Sequence, residues 1–143
     1  SKYKGSDNVL RNTAFNGNYV FNLLGGKEFK LNDKYILIID VRSTYAGGKR
    51  YVPINLNASI LAKDEIRDGT HAYENKYPDY FRIDVKPGFR LNFKNTTHEF
   101  SVDVQNLTQN NNVFQQVYDI NSQKINTTYQ LKFFVLPQYR ILF

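Results

Sequence analysis

The sequence predicts an all-β protein, an antiparallel up-and-down meander of about five long strands. Long stretches alternate apolar or aromatic residues with polar ones, and successive side chains of a strand point to opposite faces. Tyrosine and phenylalanine number 11 each among 143 residues, and aromatic residues favour strands. Short and long polar segments separate these stretches where turns and loops are expected.

A short polar turn joins the first two predicted strands. The first strand spans about residues 12–31 and the second about residues 35–52, with the turn at residues 32–34 between them. The second strand is apolar on one face, although Ile36 and Ile38 blur the alternation near its start. That face comprises Tyr35, Leu37, Ile39, Val41 and Tyr45. Residues 53–79 then form a long, polar and irregular stretch, and loops of this length are usually functional or disordered.

The third strand has the clearest alternation in the chain. One face is apolar or aromatic, and comprises Phe81, Ile83, Val85, Phe89, Leu91 and Phe93. The opposite face is polar, and comprises Arg82, Asp84, Lys86, Gly88, Arg90, Asn92 and Lys94. Pro87 lies inside the strand and lacks a ladder donor, which predicts a bulge or irregular pairing.

The fourth and fifth strands continue the pattern after a tight turn at residues 95–97. The fourth carries Phe100, Val102 and Val104 opposite Asp103 and continues toward Tyr118. A second polar loop at residues 119–126 leads to the fifth strand at residues 129–143, where Pro137 again predicts a bulge or irregular pairing. The apolar face of the fifth strand includes Phe133, Val135, Tyr139, Ile141 and Phe143, and Arg140 lies on the other face.

Strands with one wholly apolar face are typical of a transmembrane β-barrel. Bacterial outer-membrane barrels have short periplasmic turns and longer extracellular loops, and the loops of this chain alternate in that way. Residues 53–79 and 119–126 are therefore expected outside the cell, and the short turns in the periplasm. Five strands cannot close a barrel, so we expect the chain to be a piece of a longer protein or to pair its edges with another chain. Residues 1–11 are then the end of a preceding extracellular loop.

Composition excludes several other classes. The chain has no cysteine, so a disulfide framework and a thiolate metal site are excluded. No run of 18 apolar residues exists, which excludes a transmembrane helix. The net charge of +6 is dispersed rather than clustered, so nucleic-acid binding is not expected. No catalytic constellation, phosphate-binding loop or metal-ligand spacing occurs, so we expect neither an enzyme nor a cofactor or metal site.

Several segments together resemble the C-terminal end of TonB-dependent outer-membrane receptors of Bacteroidetes-type bacteria, which often carry a carboxypeptidase-regulatory-like domain. The most specific are residues 98–114, HEFSVDVQNLTQNNNVF, and residues 136–143, LPQYRILF. Residues 47–53, GGKRYVP, and residues 80–84, YFRID, fit as well. The resemblance covers essentially the whole chain.

The resemblance implies a location in the outer membrane of a Gram-negative bacterium and a barrel of roughly 22 strands with a plugged lumen. Residues 1–143 would be its C-terminal segment, with the plug, the remaining strands and the TonB contact N-terminal to it. Tyr139, Ile141 and Phe143 resemble the signal that the barrel-assembly machinery reads. The alternate residues listed above, from Phe81 to Val135, would face lipid. The charged residues opposite them would face the lumen, namely Arg82, Asp84, Lys86, Arg90, Asp103 and Arg140.

Two alternatives remain open from the sequence. The chain could be a separate or clipped fragment that completes a barrel or is held by the assembly machinery. It could also be a soluble antiparallel ligand-binding barrel, although that fold has shorter strands with turns every 8–12 residues. The two kinds of barrel differ in the placement of the third strand. A soluble barrel turns its apolar face inward, and a membrane barrel turns that face outward. The sequence does not identify a transported substrate or an associated lipoprotein.

Overall fold

The computed structural model describes all 143 residues and consists mostly of β-strands. One short α-helix and one 3₁₀ helix lie between the fourth and fifth strands. The strands are β1 (Lys2–Lys4), β2 (Leu10–Asn12), β3 (Val20–Lys30), β4 (Tyr35–Ala46), β5 (Tyr80–Asn92), β6 (Thr97–Gln105), β7 (Val113–Asp119), β8 (Lys124–Tyr129) and β9 (Phe134–Leu142). The helices are α1 (Leu56–Ala62) and the 3₁₀ helix Gly69–His71.

The largest sheet has five antiparallel strands in the order β3-β4-β5-β6-β9. Two small sheets, β1-β2 and β7-β8, complete the strand pairing. The prediction of a mostly β chain with an antiparallel five-stranded sheet is therefore confirmed. β3 and β9 are the edges of this sheet, so it is open within the chain.

The chain forms two compact units. The first, which we call the loop unit, comprises Ser1–Val20, Ala46–Tyr80 and Asn111–Gln130. The second, the sheet unit, comprises Phe21–Tyr45, Phe81–Asn110 and Leu131–Phe143. Both predicted long loops belong to the loop unit, and both short turns belong to the sheet unit.

The predicted strands are longer than those of the structure, and the second, predicted to reach about residue 52, ends at Ala46. The first begins at Val20 rather than near residue 12, because residues 13–19 form turns and Asn18 has a φ of 76°. The fourth ends at Gln105 because Asn106 adopts a left-handed φ of 50°. The fifth begins at Phe134. In the first and fourth strands a local turn interrupts an alternation that continues in the sequence.

The stretch at residues 53–79 is more ordered than predicted. Asn55 caps α1, and its side-chain oxygen accepts the backbone N–H of Ala58 at 3.1 Å. Lys63 ends the helix with a φ of 53°. The hydroxyl of Ser59 is buried, donates to the carbonyl of Asn55 at 2.8 Å and accepts the N–H of Ile66 at 2.9 Å. These polar contacts fold the segment without a strand pattern. α1 has 7 residues, and no helix of the structure is long and apolar enough to cross a membrane.

The predicted bulges at the two strand prolines are absent. The β5–β6 register keeps one offset from Val85↔Val104 to Gly88↔Ser101, on either side of Pro87. The β6–β9 register likewise continues through Val102↔Pro137. Pro137 lies on an edge strand, where a missing donor that would point outward costs no ladder bond. Nothing in the structure explains the missing donor of Pro87 in an interior strand.

Candidate functional site

One face of the five-stranded sheet is apolar, and strand register brings its residues into rows. Across β5, β6 and β9 the pairing aligns alternate residues, so each row lies on a single face. No aspartate, glutamate, lysine or arginine occurs in these rows. The rows are Val85, Val104 and Val135; Pro87, Val102 and Pro137; Phe89, Phe100 and Tyr139; and Leu91, His98 and Ile141.

Aromatic contacts extend this face across β4. The ring of Tyr35 stacks on Phe89 with centroids 5.8 Å apart. At the other end of the strand, Tyr45 meets Phe81 edge-on at 6.4 Å. Alternation then places Leu37, Ile39 and Val41 between the two tyrosines on the same face. We call this surface, with the rows above, the apolar face.

The apolar face also includes alternate residues of β3. Asn22 accepts a hydrogen bond from Thr44 at 2.9 Å on the opposite face of the sheet. The odd-numbered residues of β3 therefore lie on the apolar face, which adds Phe21, Leu23, Lys27 and Phe29. Lys27 is the only formally charged strand residue on this face.

Nothing within the sheet unit covers the apolar face. Leu23 is 72% exposed, Tyr139 is 54% exposed and Phe100 is 48% exposed. Ile38, on the opposite face, is the only buried hydrophobic residue of the sheet unit. A sheet in water buries its apolar face against a second layer, and the sheet unit has no second layer. The surface requires an apolar environment from outside the chain.

The opposite face, which we call the polar face, carries an ion-pair network across the sheet. The register aligns Arg90, Glu99 and Arg140 in one row. Glu99 accepts from Arg90 at 3.1 Å and from Arg140 at 2.9 Å. Glu28 of β3 pairs with Arg90 at 3.1 Å. These contacts neutralise two of the predicted lumen-facing arginines.

A second cluster on the polar face centres on Asp84. Its carboxylate accepts from Arg42 at 2.5 Å and from Arg82 at 2.6 Å. The same carboxylate accepts the backbone N–H of Asn106 at 2.9 Å. Arg82 also donates to Gln105 at 3.0 Å. Two more of the predicted lumen residues therefore hold strands together rather than standing open to a ligand.

The remaining predicted lumen residues, Lys86 and Asp103, line an open cavity on the polar face. The cavity has a volume of about 430 Å³ and is shared with Asp40, Arg42 and Asp84. Lys86 forms no ion pair, and Asp103 accepts only from Gln105 at 3.0 Å. All six predicted lumen residues thus lie on one face, with four paired and two open.

Asn106 is a structural centre that sequence reasoning missed. It is 1% exposed, and its side-chain oxygen accepts the N–H of Asn110 at 3.1 Å. Its amide nitrogen donates to the carbonyls of Asn110 at 3.0 Å and Leu131 at 3.4 Å. It therefore turns the chain out of β6 and fastens the start of the last segment. An asparagine at this place in the segment 98–114 could have indicated a turn, because asparagine tolerates a left-handed backbone conformation.

Arg50 links separate parts of the loop unit through hydrogen bonds. Its guanidinium donates to the carbonyl oxygens of Asn16 at 3.1 Å, Tyr73 at 3.1 Å and Glu74 at 2.8 Å. Beside it, the rings of Tyr51 and Tyr77 stack with centroids 4.3 Å apart. Burial raises the pKa of Tyr77, whose hydroxyl accepts the N–H of Gln116 at 3.0 Å. Tyr51 thus packs inside the loop unit.

Close backbone contact explains the paired glycines of the GGKRYVP segment. A Cβ atom on Gly47 would lie 1.6 Å from the carbonyl oxygen of Gly17. A Cβ on Gly48 would lie 1.8 Å from the carbonyl oxygen of Tyr77. Only glycine leaves room for these approaches, so the segment that contributes to the resemblance is a packing motif.

The three residues of the predicted assembly signal differ in their surroundings. Tyr139 stacks on Phe100 at 4.6 Å, and its hydroxyl is 2.7 Å from Nδ1 of His98. Ile141 pairs with His98 across β6 and β9. Phe143 lies beyond β9 and is 100% exposed. Of the predicted lipid-facing set, Phe93 and Phe133 also lie outside the strands, immediately after β5 and before β9.

No family model, no curated protein and no solved structure matches this chain. The resemblance to TonB-dependent receptors therefore stays a hypothesis. The two faces of the sheet are the structural features that bear on function.

Proposed function

We propose that this chain forms a wall segment and extracellular loops of a TonB-dependent transporter for nutrient uptake in the outer membrane of a Gram-negative bacterium. The observation that carries the proposal is the uncovered apolar face, opposite a polar face that holds nearly all charged residues of the five-stranded sheet. Lipid supplies the apolar surroundings that the chain itself lacks. Water or a plug supplies polar surroundings on the other side.

The dimensions of the apolar face support a bilayer. Ten residue steps separate Tyr35 from Tyr45, which is about 33 Å along the strand at roughly 3.3 Å per residue. Membrane strands tilt by about 40°, so the two rings would stand about 25 Å apart along the membrane normal, the height of a barrel's apolar band. Aromatic rings at both limits correspond to interfacial girdles.

The paired charges of the polar face support a lumen-facing role. Arginine or lysine on the lipid side near the bilayer centre costs about 2–4 kcal/mol. The Asp84 cluster and the Arg90–Glu99–Arg140 row instead lie on the side where water or a plug can solvate them. Lys86 and Asp103 are the predicted lumen-facing residues without an ion pair, so they are the candidates for contact with the plug or with a passing solute.

The open edges of the sheet support a larger barrel. Unpaired backbone groups at an edge cost several kcal/mol each in lipid, so β3 and β9 need neighbouring strands. These strands, the plug and the TonB contact would come from the remainder of the barrel in the same or another chain. On this proposal residues 53–79 and 119–126 are extracellular, and the short turns before β4 and before β6 are periplasmic.

Site-directed spin labelling tests which face meets lipid. This chain has no cysteine, so the variants Val102→Cys and Gln138→Cys each introduce one labelling position in it. The two residues lie on adjacent paired strands but on opposite faces. In the native protein in phospholipid vesicles, we expect the label at 102 to collide with oxygen and the label at 138 with a water-soluble nickel chelate. A label at 102 that is shielded from both would support the soluble barrel, and a label at 102 that meets only nickel would show that this face is in water; either result would contradict the proposal.

The intact mass of the denatured protein from its native membrane tests the fragment alternative. A mass near 16.7 kDa would indicate a separate or clipped chain, whose edges another chain completes. A mass several times larger would indicate that these residues are the wall segment of a whole transporter. Either result is compatible with lipid on the apolar face, so this measurement is independent of the labelling experiment.

A further inference from the structure

Two lysines lie above aromatic rings near the ends of β3 and β4 that the turn at residues 31–34 connects. The ammonium of Lys34 is 4.8 Å from the ring centre of Phe93 and 5.6 Å from that of Tyr35. The ammonium of Lys27 is 5.1 Å from the ring centre of Phe29. Tyr35, Phe29 and Lys27 belong to the apolar face, and Lys34 immediately precedes Tyr35 at the turn-side limit of that face. We call Lys27, Phe29, Lys34, Tyr35 and Phe93, with His98 and Tyr139, the turn-side belt.

Backbone contacts hold Lys34 in place. Its N–H donates to the side-chain oxygen of Asn32 at 2.9 Å, and its carbonyl accepts the N–H of Asn92 at 2.8 Å. The N–H of Phe93 donates to the carbonyl of Thr96 at 2.8 Å. The two short turns are therefore tied together, and the backbone that carries Lys34 is held by these contacts.

The positive charge of the belt has no carboxylate partner. Neither Lys27 nor Lys34 forms an ion pair, and no acidic residue lies on the apolar face. The nearest acidic residue in sequence, Asp33, pairs with Lys30 at 2.8 Å. Nine other ionic contacts in the chain pair a basic group with an acid, whereas the two belt lysines have no acidic partner in the chain and can meet an anion from outside.

Polar side chains complete the belt on β6 and β9. Nδ1 of His98 is 2.7 Å from the hydroxyl of Tyr139, and Nε2 is 3.3 Å from the hydroxyl of Thr96. The His98 ring meets Phe93 edge-on at 5.3 Å. The belt therefore has hydrogen-bonding groups beside its rings, whereas the rows from Val85 to Val135 and from Pro87 to Pro137 contain only apolar side chains.

We propose that the turn-side belt binds the phosphate of glycerophospholipid headgroups. Lysines extend their charge from an apolar stem to the level of the headgroups, and aromatic rings with a polar tip favour the same depth. The apolar face directly continues from the belt, so the acyl chains of the same lipid find their surface there. The inference rests on the proposed function, because it requires lipid on this face.

Lipid titration with native mass spectrometry tests the belt. The native protein, delipidated in detergent, is titrated with phosphatidylglycerol and with phosphatidylcholine of the same acyl chains. Each lysine near an anionic headgroup supports binding by about fivefold. We expect Lys34→Gln to weaken phosphatidylglycerol retention about fivefold and the double variant Lys27→Gln/Lys34→Gln by more than tenfold. Binding of phosphatidylcholine should change less.

Lys49→Gln is the matched control. Lys49 also lies above two rings without an acidic partner, 5.6 Å from Phe15 and 5.9 Å from Phe114, but in the loop unit. Its substitution should leave lipid retention within twofold. Lys34→Arg keeps the charge and should retain most of the affinity.

Two results would overturn the inference. One is an unchanged phosphatidylglycerol affinity in the double variant, and the other is an equal loss in the Lys49→Gln control. The spin label at position 102, measured in the same variants, shows whether the sheet still meets lipid. A failed belt with a lipid-exposed label refutes only the headgroup site, whereas a label that never meets lipid refutes the proposed function.

Discussion

The loop unit and the sheet unit bury their apolar side chains in opposite ways. The loop unit packs Ala72 and Tyr77 to 7% exposure each, although most of its sequence is polar. The sheet unit contains the most regular apolar alternation of the chain, but Ile38 is its only buried hydrophobic residue. Apolar content therefore does not predict which unit has an internal core.

The two units depend on different sources of stability. The loop unit is held by contacts within itself, above all the three carbonyls that Arg50 binds and the Tyr51–Tyr77 stack. The sheet unit is held by its hydrogen-bond ladder and by ion pairs on one face. Its other face gains stability only from what surrounds the protein. Substitutions should thus respond to the solvent in the sheet unit and to local packing in the loop unit.

The largest effect is expected from a charge on the apolar face. Val102→Arg should destabilise the protein in phospholipid vesicles by about 2–4 kcal/mol, because the guanidinium would enter lipid. Urea unfolding in vesicles measures this cost. Gln138→Arg, on the paired strand but the polar face, should change the unfolding free energy by less than about 1 kcal/mol. Equal costs for both variants would contradict the assignment of the two faces.

Removing the centre of the Asp84 cluster should have the next largest effect. Asp84→Asn leaves Arg42 and Arg82 without their acceptor charge, and weakens the contact with the Asn106 N–H. We expect a loss of about 2 kcal/mol in the same unfolding measurement. Asp103→Asn is the control, because Asp103 lies on the same face without an ion pair. A loss for Asp103→Asn as large as that for Asp84→Asn would argue against a specific role of the cluster.

A glycine substitution tests the packing of the loop unit. Gly48→Ala places a Cβ against the carbonyl oxygen of Tyr77, so the backbone must move at a cost of about 1–2 kcal/mol. Hydrogen exchange of the Tyr77 amide, which donates to Lys49 at 3.0 Å, should become faster. Gly69→Ala, whose Cβ would meet nothing within 4 Å, should leave that exchange rate unchanged. Protection of Tyr77 that survives Gly48→Ala would show that the close approach is not needed.

The smallest effect concerns pH in the loop unit. His71 lies 2.7 Å from Asp68, which raises the pKa of His71 above its usual 6.5 and lowers that of Asp68 below 3.8. The contribution of His71 to folding stability is fully present below pH 6.5 and disappears as pH rises through the raised pKa of His71. The aspartate contribution is present above pH 3.8 and disappears as pH falls through the lowered value. The pair therefore contributes most to stability between pH 3.8 and pH 6.5.

An NMR titration of His71 measures this pair directly. In Asp68→Asn the pKa of His71 should fall toward 6.5, with a small residual rise from the charge of Glu74. A titration curve that is the same with and without Asp68 would show that the contact does not persist in solution.

The sequence by itself determined the two faces of the strands. A period of two requires no knowledge of neighbours, so Phe81, Ile83 and Val85 separate from Arg82 and Asp84 in the printed sequence. The short polar turns could be predicted for a similar reason, since asparagine and aspartate form hydrogen bonds with nearby backbone groups.

Only the tertiary structure decided which residues meet across strands. Strand register aligns Arg90 with Glu99 and Arg140, and nothing in the local sequence of any one strand encodes that offset. The left-handed turn at Asn106 ended a strand whose alternation continues, because one backbone angle can override a side-chain pattern. Arg50 binds carbonyls more than twenty residues away, and contacts of that separation depend on the folded path of the chain.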